Sequence, residues 1–244
     1  MTNDPNSEEW VTRKKIQVIL AHPDDPEFFC GATIAHWCSI GHEVSYTLLT
    51  KGQRGTRDEN ASLASVADIR VREQILAAAR LGVRNIKFLN FLDGDLVPDL
   101  NLRGEIIKEI RIAKPDIVVT SDPMNLFPGE NRINHPDHRA AGKAVLDAVF
   151  PAVGNPGHRI NGDQSDLKAH KIEEVWLTLT RQPNFEMFLP GFFDRKIEAI
   201  SCHQSQLTYT ESQLREKYKT SFAVNPLTGK HEYKESFLRI KLNP

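Results

Sequence analysis

Apolar residues recur along this chain in two alternating rhythms. Lys15 to Ala21 (KIQVILA) is a short run with β-branched side chains that breaks into the polar stretch His22-Pro23-Asp24-Asp25-Pro26, which predicts a buried strand and then a loop. From Ala32 to Ile40 the apolar positions fall at helical spacing and stop at Gly41, and Glu43 to Thr50 reads as a second strand. The alternation continues with a helix over Leu63 to Leu81 closed by Gly82, a strand over Ile86 to Leu92, a helix over Leu102 to Ala113 ended by Pro115, and a strand over Asp116 to Ser121.

Strands separated by helices imply right-handed crossovers. Four of them predict an α/β fold, three-layer and Rossmann-like, with a mostly parallel sheet and helices on both faces, as one domain over 1–244. In such sheets reactive groups collect beyond the carboxyl ends of the strands, so loops 22–30, 51–61, 93–100 and 122–137 are expected to face one crevice. Residues 151–172 carry Pro, Gly, Asn and Asp without periodicity and predict a long surface loop, and the sequence leaves open whether it covers that crevice. Glu174 to Thr180 reads as a strand, Phe193 to His203 as a helix, Tyr218 to Leu242 as mixed, and 1–13 as a frayed tail. The aromatic group Phe185, Phe188, Phe192 and Phe193 is expected in the core or at a subunit interface.

Composition narrows the partners. Thirty-one basic and 32 acidic residues leave a formal charge of −1, so no basic field advertises nucleic acid or an anionic membrane, and a small-molecule partner is expected. No apolar run reaches the roughly 20 residues of a membrane helix, and the polar start Met1 to Glu9 does not look like a secretion signal. Cys30, Cys38 and Cys202 are odd in number and form no CxxC pair, which argues against a disulfide framework and a thiolate metal site and points to the cytoplasm.

Two clusters carry the candidate chemistry: His22-Pro23-Asp24-Asp25 after the first strand and His135-Pro136-Asp137-His138 after the fourth. Either one alone reads as a polar turn, with Pro fixing the backbone and Asp capping a helix. Together, each beyond a buried strand of one parallel sheet, they suggest a metal site. A catalytic zinc ion takes three N or O ligands and leaves one position for water, a set that a His and an Asp of one loop and a His of the other supply.

These residues resemble the LmbE-like or PIG-L-type N-acetylglucosamine deacetylases, whose signatures look like AHPDD and HPDH, here Ala21 to Asp25 and His135 to His138. The similarity extends to Gly31-Ala32-Thr33-Ile34-Ala35-His36, Thr50 to Thr56, Arg70-Val71-Arg72-Glu73 and His203-Gln204-Ser205-Gln206. The resemblance implies a zinc-dependent hydrolase that removes acetyl from an N-acetylglucosaminyl-type amino sugar, releasing acetate and a free amine. It makes His22, Asp25 and His138 the ligands of one Zn2+, with Fe2+ suited to the same donors. It makes Asp24 the general base. By charge, a positively charged His135, oriented by Asp137, stabilises the oxyanion; either Asp24 or His135 can protonate the leaving amine, and the resemblance favours Asp24. Arg70, Asp93 and His203 become substrate contacts, against the plainer readings of an ion pair, a turn and a satisfied helix-end histidine. A homo-oligomer is compatible with the resemblance.

The chain departs from the family pattern twice. Pro26 precedes Glu27 where many relatives place Glu directly after the aspartates, and Ile133 stands where some carry Tyr. Two other readings compete: the same metal chemistry on another small N-acyl substrate, and a nucleotide-type binding module in which the clusters are only turns. The lack of a GxGxxG after Leu20 weakens the second.

Overall fold

The computed structural model describes residues 10, 12–158 and 167–242. Most of the expected tail at 1–13, and 159–166 of the expected loop, lie outside these residues. The chain runs β1 (Lys15–Leu20), α1 (Asp25–Ser39), β2 (Glu43–Thr50), α2 (Leu63–Leu81), β3 (Asn85–Phe91), α3 (Leu100–Ala113), β4 (Ile117–Ser121) and α4 (Pro136–Asp147). It continues through β5 (Glu174–Thr178), β6 (Phe185–Phe188), α5 (Phe193–Ile200), α6 (Glu211–Lys217), β7 (Phe222–Val224) and β8 (His231–Lys241).

The sheet order is β3-β2-β1-β4-β5-β8-β6, with β7 against β8. Pairing is parallel from β3 to β5 and antiparallel onto β8. The short apolar runs are explained by burial on both faces: Ile16, Val18 and Leu20 of β1 join one core with α1, α2 and α5, while Ile19 joins the other with α3 and α4. The order turns back at β1, whose neighbours β2 and β4 follow it in opposite directions. That switch point opens a crevice beyond the carboxyl ends of β1 and β4, where the two polar clusters stand.

Helix α1 begins at Asp25, earlier than the Ala32 that periodicity suggests. Pro26 in the first turn and the acidic Asp25 and Glu27 favour a helix start there. The helix then breaks at Cys30 (φ −146°, ψ 27°), and Glu235 of β8 caps the second half by accepting the N–H groups of Ala32 and Thr33 at 3.2 and 2.9 Å. The same carboxylate meets the Lys196 Nζ of α5 at 2.6 Å, both groups being buried. This break hides the first half of the helix from a periodicity reading.

The described parts of the long loop stand away from the crevice. Arg111 at the end of α3 donates to the carbonyls of Ala152 and Asn155 at 2.8 and 3.0 Å, and the His170 ring lies 2.7 Å from the Pro115 carbonyl. Residues 151–158 and 167–172 therefore lie at the amino ends of β4 and β5, opposite the crevice. The reason is chemical: the carbonyls of a loop without regular structure need donors, and a buried guanidinium at that end supplies them.

Candidate active site

His22 leaves the end of β1, Asp25 opens α1 and His138 lies in the first turn of α4. Their side chains meet: His22 Nδ1 is 3.3 Å from His138 Nε2 and 3.4 Å from Asp25 Oδ2, and His138 Nε2 is 3.0 Å from Asp25 Oδ1. Two bonds of about 2.05 Å at a tetrahedral angle place their donors about 3.3 Å apart, so the two ring nitrogens and the Asp25 carboxylate have the spacing of ligands on one ion of zinc's size. Electrostatics agree. Burial works against ionisation of Asp25, but the rings of His138 and His22 hold its carboxyl far below the usual range.

A second grouping, His22 with His135 and Asp137, also brings its donors within 4.8 Å. It is the poorer cation site, because the Asp137 oxygens already accept the N–H groups of Gly94 and Leu96 at 2.7 and 3.2 Å. What Asp137 does instead is hold His22: its Oδ2 lies 3.1 Å from His22 Nε2, and Asp93 Oδ1 lies at the same distance. Carboxylates on the far nitrogen fix the ring's tautomer and raise the basicity of the near one. Asn134 does the same for His138, with Oδ1 3.2 Å from Nδ1.

This corrects the expected pairing of Asp137 with His135. The Asp137 carboxylate serves His22, and only its backbone N–H reaches His135, donating to Nδ1 at 3.1 Å. His135 therefore carries its proton on Nε2. Partial burial, then the neighbouring rings of His22 and His138, push its pKa below the ordinary value, which works against the charged form expected for it. A bound dication pushes the same way.

Asp24 sits between the loop and α1 with φ 88°, a left-handed backbone unusual outside glycine. Two contacts from α2 hold it there: Gln74 Oε1 accepts its N–H at 2.7 Å, and Arg70 Nη2 donates to the preceding Pro23 carbonyl at 2.6 Å. Arg70 Nη2 also reaches Asp24 Oδ2 at 3.2 Å. Burial raises the Asp24 pKa to about 6, against the lowering effect of Arg70. The carboxyl thus titrates near neutrality, where a group that both takes and returns a proton is most effective.

A cavity of about 760 Å³ joins these groups, lined among others by His22, Asp24, Asp25, Arg70, Asp93 and His135. Ile133, at the place where some relatives carry Tyr, lines it too and is exposed. Of the expected substrate contacts, Arg70 and Asp93 face the cavity. His203 does not: it is fully buried, with Nε2 3.2 Å from Glu27 Oε2. It lies behind Asp24 because the turn after α5 folds it against the first turn of α1.

Sequence reasoning missed Gln74 and Glu27. Gln74 Nε2 donates to Glu27 Oε1 at 2.9 Å, which completes a buried chain from the Asp24 backbone to His203. The available signal was a glutamine one turn after Arg70 on the inward face of the helix, where burial demands partners.

The profile of the family described as "PIG-L: GlcNAc-PI de-N-acetylase" matches residues 17–149. Diacetylchitobiose deacetylase of Thermococcus kodakarensis is 34% identical over 91% of this chain and 81% of its own length. A probable N-acetyl-alpha-D-glucosaminyl L-malate deacetylase 2 of Bacillus cereus is 27% identical over 84% of this chain and 88% of its own. Among solved structures, N,N'-diacetylchitobiose deacetylase from Pyrococcus horikoshii, complexed with its inhibitor MPG, superposes with a TM-score of 0.80 at 28% identity, covering 93% of this chain and 84% of that one.

Proposed function

We infer that this chain, which belongs to the PIG-L/LmbE family and is a hydrolytic N-deacetylase, removes the acetyl group from a short N-acetylglucosaminide. The observation that carries this reading is the meeting of His22, Asp25 and His138 at ligand spacing beside Asp24, in a cavity of sugar size. Two imidazoles and a carboxylate suit Zn2+, and Fe2+ after it. When bound there, zinc polarises the acetyl carbonyl and lowers the pKa of water toward roughly 7.

The chain's own residues do the rest. Asp24 accepts a proton from the water as its oxygen bonds to the acetyl carbon. The His135 Nε2–H donates to the oxygen on which negative charge collects, a contact stronger in the tetrahedral state than in the planar amide. As the C–N bond breaks, Asp24 returns the proton to the leaving nitrogen, and acetate and the free amine result. The Asp24 carboxyl suits both transfers because it titrates near 6. Arg70 keeps that carboxyl placed, and the cavity faces of Arg70 and Asp93 are assigned to sugar hydroxyls.

No helix among the described residues is long and apolar enough to cross a membrane, and all three cysteines are unpaired thiols, in keeping with a reducing compartment such as the cytoplasm. The test is acetate release from N-acetylglucosaminides and from other N-acyl amines, before and after chelation and on restoring zinc. The expected result is metal-dependent release from the sugars. Faster release from non-sugar amides, or release indifferent to chelation, overturns the reading.

A further inference from the structure

Leu179, the residue after β5, has a left-handed backbone (φ 56°) and lines the active-site cavity. A bulky side chain is rarely found in that conformation, and strain of this kind persists only where the surroundings enforce it. We propose that Leu179, backed by Phe29, forms the end wall of the pocket that takes the acyl group and limits that group to the length of acetyl. The inference deepens the substrate reading above and rests on it.

The cavity has two unlike ends. Beside Asp24 stand Arg70, Arg54 and Asp93, with Arg70 Nη2 3.2 Å from Asp24 Oδ2 and the Arg54 N–H donating to Asp93 Oδ2 at 3.1 Å. Beyond His138 stand Phe29 and Leu179. The Phe29 ring meets the His138 ring edge to face, 5.2 Å between centroids, and Thr178 Oγ1 donates to the Phe29 carbonyl at 3.5 Å. That bond sets the end of β5 beside the first turn of α1. The Asp24 end offers charge and hydrogen bonds to a sugar, whereas the side chains of Phe29 and Leu179 offer only carbon.

The direction of the acyl chain follows from the roles of its neighbours. In the tetrahedral state the reacting carbon carries the attacking oxygen, the former carbonyl oxygen, the nitrogen and the acyl chain. The attacking oxygen gives its proton to Asp24 and the nitrogen receives it back, while the former carbonyl oxygen faces His135. The chain takes the remaining tetrahedral direction, away from Asp24 and past His138, toward Phe29 and Leu179.

This wall is fixed. The Leu179 carbonyl accepts the side-chain amide of the buried Asn125, and the Asn125 carbonyl accepts Asn134 Nδ2 at 2.8 Å. Asn134 is also the residue that faces His138 Nδ1. One hydrogen-bonded frame therefore places both the candidate ligand and the wall, and a longer acyl chain meets a surface that does not retreat. An apolar pocket of fixed size discriminates roughly 10–200-fold per methylene.

The experiment compares one methyl glucosaminide carrying an N-acetyl, N-propionyl or N-butyryl group, with release of the free amine measured on zinc-loaded enzyme. Wild type is expected to lose roughly tenfold in kcat/KM for each added methylene. Leu179→Gly removes the wall and suits the left-handed backbone, so folding is expected to survive. It is expected to raise the butyryl-to-acetyl ratio at least tenfold. Leu179→Asn also tolerates that backbone but keeps the branched outline of leucine, and its ratio is expected to stay at or below that of wild type. The pair separates side-chain size from relief of strain. A wild type that treats the three amides alike, a ratio unmoved in Leu179→Gly, or equal rises in both variants, overturns this inference alone. Failure of wild type to release amine from any of the three glucosaminides overturns the substrate reading and this inference with it.

Discussion

Gln74, fully buried on α2, accepts the backbone N–H of Asp24 at 2.7 Å across 50 positions of sequence. Its other amide atom donates to Glu27 at 2.9 Å, which leaves no freedom to flip the group. Left-handed backbone costs a non-glycine residue roughly 1–2 kcal/mol, and this hydrogen bond is one of the contacts that hold Asp24 in it. Gln74→Glu sets a carboxylate against Glu27 and is expected to lower kcat roughly 10–100-fold through misplacement of Asp24, with zinc content and KM unchanged. The exchange Gln74→Glu with Glu27→Gln restores the donor and acceptor order and is expected to recover most of the loss. Steady-state kinetics with metal analysis on the three variants decide; a swap no better than the single change rejects the positioning role.

The division of labour between adjacent aspartates gives a second prediction. Asp25 has its oxygens on His22 and His138, whereas Asp24 faces Arg70 and the cavity. Asp24→Asn is expected to keep its zinc and lose roughly 10²–10⁴-fold in kcat, the usual worth of a positioned acid–base group. His138→Ala is expected to lose both. Equal loss of metal from the two variants means that Asp24 is a ligand and the assignment is reversed.

How far these sites could be read from the sequence follows from how local their signals are. His22, Asp24, Asp25, His135 and His138 stand within four residues of one another at two strand ends, so motif and topology together locate them. Gln74 and Glu27 acquire meaning only through contacts across the fold, and no spacing rule anticipates those. Asp137 was legible as a site residue but its partner was not, because whether its carboxylate turns to His22 or to His135 depends on where loop 93–100 presents its N–H groups. His203 shows the opposite failure. Its motif pointed to the site, and packing placed it one layer behind. The strand and helix alternation to Ser121 was readable because β1 and β4, buried on both faces, are almost wholly apolar and regularly spaced helices separate the strands. β8 is antiparallel and only alternately buried over much of its length, so the tail looked mixed.

The carboxylates behind His22 yield a third expectation. Asp137 is almost wholly buried and binds His22 and two backbone N–H groups at once. Loss of such an outer partner usually weakens metal binding roughly 10–100-fold. Asp137→Asn is expected to fall in that range, measured by competition with a chelator, and to lose activity that excess zinc partly restores. Unchanged zinc affinity with reduced kcat would place Asp137 in the proton chemistry instead.

The last prediction concerns pH and lies away from the candidate metal site. Burial opposes charge on Lys196, but Glu235, 2.6 Å away, raises its pKa well above that of an ordinary lysine. A group whose pKa is higher folded than unfolded adds stability that is complete below the unfolded value, about 10.4 for lysine, and that fades as pH climbs through the folded value. Lys196→Met strands the Glu235 carboxylate inside the protein, and losing one partner of a buried pair costs about 3–5 kcal/mol. Chemical denaturation should therefore show a gap of that order between wild type and variant from pH 7 to about pH 10, closing at higher pH as Lys196 loses its proton. The double change Lys196→Met with Glu235→Leu removes the stranded charge, but it also removes the cap on Ala32 and Thr33, so it should recover only part of the gap. A gap that stays constant through strongly alkaline pH would show that the pair contributes through packing alone.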